Sequence, residues 1–167
     1  QSGIISVHAV NADNTLGSVV QSTTFAKTWT SMEIGKHGST TYLYLHNSDS
    51  GELRRHVINS NGTINTAVNA SVTSVDWQDI GNLSSYQIGS TLYLEGLDPW
   101  SGKNRVYTGD LVPLTSNAWT TGWTSMDHTT ISSLGYILTY KAAGDANSTT
   151  DDANQVGRLA IQSIDAS

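Results

Sequence analysis

The chain repeats itself three times, and that repetition constrains its fold more than any other feature. Trp29-Thr30-Ser31-Met32 returns as Trp77-Gln78-Asp79-Ile80 and as Trp123-Thr124-Ser125-Met126, at intervals of 48 and 46 residues. Behind each tryptophan runs a Thr/Tyr/Leu stretch: Thr41-Tyr42-Leu43-Tyr44-Leu45, Thr91-Leu92-Tyr93-Leu94 and Gly135-Tyr136-Ile137-Leu138-Thr139-Tyr140. A fixed period of this length marks a repeat architecture, in which each unit buries its apolar face against its neighbours. Repeated units present repeated surfaces more readily than one asymmetric catalytic centre.

No window carries a helical period. Short β-branched and aromatic runs are interrupted every 8 to 12 residues by turn chemistry, which is the pattern of strands. Serine and threonine supply about a quarter of the 167 residues, and this composition suits antiparallel sheet. Ser2-Gly3, Ser50-Gly51 and Ser101-Gly102 align as unit starts, and a fourth start falls at Gly157. Asn-Gly at Asn61-Gly62 adds a hairpin signal. The expectation is one all-β domain over 1–167 with units near 3–49, 50–100 and 101–156 and a surplus strand at 157–167. Each unit reads as a four-stranded antiparallel meander. In the first complete unit, strand one follows Trp29; the others run Thr41 to His46, Leu53 to Asn59 and Ile64 to Ala70. Strands are also expected at Ile4 to Val10 and Arg158 to Ile164. Units of about 48 residues fit propeller-like blades, with a β-trefoil as the alternative.

Only 13% of residues are charged and the net charge is −6, which argues against nucleic acid as a partner. No apolar run approaches the ~18 residues of a membrane-spanning helix, so no membrane insertion is expected. Cysteine is absent, which removes disulfides and thiolate metal sites. The chain opens at Gln1 without a leader-like segment, and a secreted, extracellular protein is expected.

The order Trp-Thr-Ser, Thr-Tyr-Leu, Ser-Gly and Asn-x-Asp/Asn-x-Thr resembles the tandem blades of sugar-binding β-propellers, the fungal fucose-lectin and tachylectin kind. The likeness covers most of the chain and implies a propeller-like fold and carbohydrate binding. The third unit departs from it, with Thr108-Gly109-Asp110-Leu111 in place of the Asn-Gly turn. The Arg and Glu that fucose-lectin blades carry in each repeat have no repeated counterpart here.

Candidate binding residues follow from aromatic and polar placement. Trp29, Trp77 and Trp123 either stack on sugar faces or wedge neighbouring sheets together. Trp100, in the insertion Asp98-Pro99-Trp100, breaks the repeat and reads as an exposed binding aromatic. His8, His56 and Tyr107 each lie five residues past a Ser-Gly turn, and Arg55 lies beside them as a clamp for hydroxyl or carboxylate groups. The stretch 145–152 alternates oxygen side chains but lacks the glycine and final glutamate of a calcium loop, so no metal and no cofactor are expected. Glu33, Asp76, Asp79, Glu95, Asp98 and Asp127 are scattered in sequence, as are His37, His46 and His128, and no enzyme is expected. The expectation is a non-catalytic lectin-like protein binding a carbohydrate or glycoconjugate at equivalent shallow sites, as a homo-oligomer. The alternative is a self-assembling extracellular fibre or coat protein that exchanges its terminal strands head to tail.

Overall fold

The computed structural model describes residues 3–26, 28–119, 121–131, 134–141 and 158–164. They form thirteen strands in four antiparallel sheets. Sheet I pairs β1 (Gly3–Val10) with β2 (Leu16–Phe25). Sheet II is the meander β3 (Ser31–His37), β4 (Thr40–Asn47), β5 (Glu52–Ile58) and β6 (Ala70–Thr73). Sheet III repeats it as β7 (Asn82–Ile88), β8 (Thr91–Leu97), β9 (Lys103–Thr108) and β10 (Pro113–Ala118). Sheet IV holds β11 (Ser125–Ile131), β12 (Leu134–Lys141) and β13 (Arg158–Ile164). The segments containing 145–152 and Gly157 lie outside the described residues. No described helix is long and apolar enough to cross a membrane.

The repeat read from the tryptophans is therefore a repeat of sheets. The tight β3–β4 and β7–β8 hairpins turn on Gly38 (φ +60°) and Gly89 (φ +60°), the left-handed region that glycine enters without steric cost. The fourth strand of sheet II is displaced from its expected place. Ile64 makes only an isolated bridge to Ile58, and the ladder resumes at Ala70. Side chains in 59–69 satisfy the backbone locally instead: Asn61 Oδ1 accepts from Thr63 N at 3.1 Å and Asn65 Oδ1 from Ala67 N at 3.0 Å. Gln21 reaches across from β2 to hold Ile64 at both backbone groups.

Successive sheets stack through their first strands, β3 against β7 and β8, and β7 against β11 and β12. The apolar core lies in these junctions. Tyr44, Leu53, Trp77, Leu83, Leu92, Leu94 and Tyr107 fill the one between sheets II and III. Leu97, Trp123, Met126 and Ile137 fill that between III and IV. Leu43, Leu45 and Ile64, with Ile5, Val7 and Phe25 against them, join sheet I to II.

Candidate functional site

The turn from β8 to β9 projects an aromatic into solvent. Asp98, 3% exposed, organises it: Oδ1 accepts from Trp100 N at 2.9 Å, Oδ2 accepts the Ser101 hydroxyl, and the carbonyl accepts from Gly102 N at 2.9 Å. Sheet II builds the same turn with Asn47, whose Oδ1 accepts from Asp49 N at 3.0 Å and Ser50 N at 3.2 Å. Trp100 thus occupies the place that Asp49 holds in the preceding unit, on a backbone fixed by side-chain acceptors. Its side chain has no core to enter and is 78% exposed.

The three repeated tryptophans have different surroundings. Trp77 is 0% exposed; Tyr107 meets it edge to face at 5.1 Å between centroids, and His46 at 5.6 Å. His46 is itself buried, so desolvation lowers its pKa, and its Nε2–H donates to the Trp77 carbonyl at 2.8 Å. Trp123 is 6% exposed within the junction of sheets III and IV. Neither presents a face for stacking, because the following tryptophan of each pair of sheets is the wedge that seals them. Trp29 is half-buried. The Arg54 guanidinium lies 4.8 Å from its ring centroid, and a cavity of about 320 Å³ lined by Ile5, Phe25, Met32 and Leu45 opens beside it.

His8, His56 and Tyr107 share a position in the repeat but do not form one surface. His8 is exposed on β1, with Nδ1 3.4 Å from the Gly17 carbonyl. His56 is 1% exposed, edge-on to Phe25 at 5.1 Å, and Tyr107 is 4% exposed against Trp77. Burial at the sheet junctions directs the latter two inward, away from any shared ligand.

Arg55 ties two sheets together. Its Nη1 donates to Asp110 Oδ1 at 2.8 Å and to the Gly109 carbonyl at 2.6 Å; its Nε donates to Asn69 Oδ1 at 2.8 Å. The guanidinium stacks over Tyr42 at 4.5 Å. Tyr44 adds an O–H donated to Gly109 O at 2.9 Å, and burial pushes its phenol up to about 12. His37 Nε2 lies 3.0 Å from the second Asp110 oxygen. The Arg55 hydrogen bond, reinforced by His37, holds the Asp110 carboxyl below its ordinary value. A depressed folded pKa contributes stability above the unfolded carboxylate value, about 4, and loses it as pH falls through the folded value. Asp110→Asn is therefore expected to flatten the acid limb of the stability profile below about pH 4. Urea midpoints measured at a series of pH values check this, and the effect is modest because Asp110 is 56% exposed.

The structure also assembles groups that are far apart in sequence. His128 Nε2 lies 2.9 Å from Glu95 Oε2, and its Nδ1 lies 2.7 Å from Ser84 Oγ. Asn104 Nδ2 donates to the other Glu95 oxygen at 2.6 Å, and Tyr86 stacks on the imidazole at 4.4 Å. These are the residue types of a serine–histidine–carboxylate relay. Here the imidazole and carboxylate side chains are 2% exposed and Ser84 is 4% exposed, so the relay is sealed inside the junction of sheets III and IV. Beside it, burial raises the Glu33 pKa, opposed by a hydroxyl donated from Ser85 at 3.3 Å. The sequence signal for this cluster is the repeat register: His128, Ser85 and Ile34 each stand three residues before the end of a first strand. Among the described residues, no group of three or more His, Cys, Asp or Glu is placed to hold a metal ion.

No protein-family model matches this chain, and no curated protein matches it.

Proposed function

We propose that this chain is a non-catalytic, extracellular carbohydrate-binding protein built of propeller-type blades, and that Trp100 supplies the stacking face for a saccharide. The observation that carries the reading is the 78% exposure of Trp100 on a turn immobilised by Asp98. An indole fixed in this way loses little freedom on meeting the apolar face of a pyranose. The blade reading is supported by side-by-side four-stranded meanders whose first strands pack together, an arrangement of stacked sheets in place of the hairpin barrel of a trefoil. A single open site of this kind binds weakly, with dissociation constants on the order of 1 mM, and gains strength from multivalent display.

Trp100→Ala is expected to weaken saccharide binding about tenfold or more with little change in the unfolding midpoint, since the side chain is 78% exposed. The measurement is a glycan array followed by saccharide titration of tryptophan fluorescence in both proteins. Silence on the array together with an unmoved emission spectrum would sink the proposal.

A further inference from the structure

The repeat provides an internal template for a surface that this chain leaves uncovered. Met32, Leu83 and Met126 stand at the same place in β3, β7 and β11, five residues before the end of each strand. Leu83 is 9% exposed and Met126 8%, each packed in the junction with the preceding sheet, whereas Met32 is 61% exposed. The next inward-facing place tells the same story. Ser85 reaches back to Glu33 and His128 to Ser84 and Glu95, but Ile34 is 61% exposed. Trp77 and Trp123 are covered from the preceding sheet by His46 and Leu97, while Trp29 borders an open cavity.

The cavity lies along the open edge of sheet I. Sheet I occupies only the third and fourth places of a blade, packing Ile5, Val7 and Phe25 on sheet II. The edge of β1 opposite β2 has no partner strand among the described residues, and Gly3, Ile4 and Ile5 line the cavity along that edge. Among the described residues, no first or second strand stands beside β1.

The far end of the same chain carries the matching face. His46, Leu97 and Tyr140 are equivalent, being the partners of Ser31, Asn82 and Ser125 at the starts of the first strands. Tyr140, on β12, is 42% exposed. The β11–β12 hairpin with Tyr140 and the apolar groove on sheets I and II are thus the two halves of a junction the molecule already makes twice.

We infer that a second copy of this chain docks in the groove, its β11 and β12 completing sheet I as a four-stranded blade β11–β12–β1–β2. Tyr140 of one copy then covers Trp29 of the other, and β11 covers Met32 and Ile34. β13 holds the edge of β12 that β1 requires, so β13 yields its place to β1 on assembly. Each copy contributes sheets II and III and half of each of two composite sheets. Two copies close as six blades, within the four to eight that such rings contain. The contact is heterologous, and it closes because both ends of each chain are used. It is independent of what Trp100 binds.

Sedimentation equilibrium is expected to give twice the 17.9 kDa chain mass. Met32→Glu combined with Ile34→Glu places two charges in the groove and is expected to weaken the dimer about 100-fold or more, with an unchanged circular dichroism spectrum. A second measurement fixes the geometry. Within the chain, Ser85 meets Glu33; Ile34 and Asp127 are the equivalent pair across the proposed contact. Because the chain contains no cysteine, Ile34→Cys with Asp127→Cys is expected to form a covalent dimer on mild oxidation. A monomer at all concentrations overturns the inference, as does a dimer that resists this crosslink.

Discussion

Trp77→Ala costs about 4 kcal/mol of folding free energy as an expected result, the largest effect of any single substitution at the sheet junctions. The indole is wholly buried between sheets II and III, held edge-on by Tyr107 and His46. Gly96 lies under it so closely that even a methyl group there would run into the ring. Neighbours fitted this tightly to a large ring collapse poorly into the void, so the cavity contributes beyond the lost transfer energy. A typical domain is stable by roughly 5–15 kcal/mol, and a loss of this size approaches the lower bound of that range. Urea unfolding followed by circular dichroism is the measurement, with Trp77→Phe as the milder control that keeps most of the volume. The same truncation at half-buried Trp29 is expected to cost less than half as much. If Trp77→Ala loses under about 1 kcal/mol, the junction is not organised around this side chain.

That contrast between two residues of one repeated motif shows what can be read from sequence and what cannot. The Trp-Thr-Ser motif and the Thr/Tyr/Leu run placed β3, β4, β7, β8, β11 and β12, because alternation and turn glycines are local properties of the chain. The terminal strands were expected at Ile4 to Val10 and Arg158 to Ile164 and are found at Gly3–Val10 and Arg158–Ile164. The displaced β6 was not legible, because Asn61 and Asn65 compete for the backbone through side-chain bonds that periodicity does not register. Burial was less legible still. Whether a tryptophan wedges or faces solvent depends on the sheet stacked against it, and that sheet is about 48 residues away. His8, His56 and Tyr107 align in sequence, yet only the last two lie under a neighbouring strand. The Glu95–His128 pair spans 33 residues and becomes visible only when the first strand of sheet IV is laid against sheet III, where Glu95 stands on β8.

That pair governs the second large effect. His128→Leu is expected to destabilise the protein by about 3 kcal/mol, because it leaves Glu95 buried with Asn104 as its remaining partner and removes the group that meets Ser84. Glu95→Leu alone is expected to cost a similar amount for the converse reason, stranding His128 and the Asn104 amide. The double variant is the informative one. With carboxylate and imidazole both gone, two apolar side chains face each other beside Leu97 and Met126, and the total cost falls below the sum of the single losses. A double-mutant cycle by urea denaturation reads this coupling, expected at about 1–3 kcal/mol. Strict additivity would show that the two groups do not act as a unit. The coupling bears on assembly as well as on stability. Sheet IV is seated on sheet III by Leu97, Trp123, Met126 and Ile137, with Trp119, Ala160 and Ile164 packed against them, and the buried polar pair lies in the same junction. Tyr140 rides on that sheet, so variants that loosen the pair are expected to weaken the proposed dimer even though neither residue lies in the proposed contact.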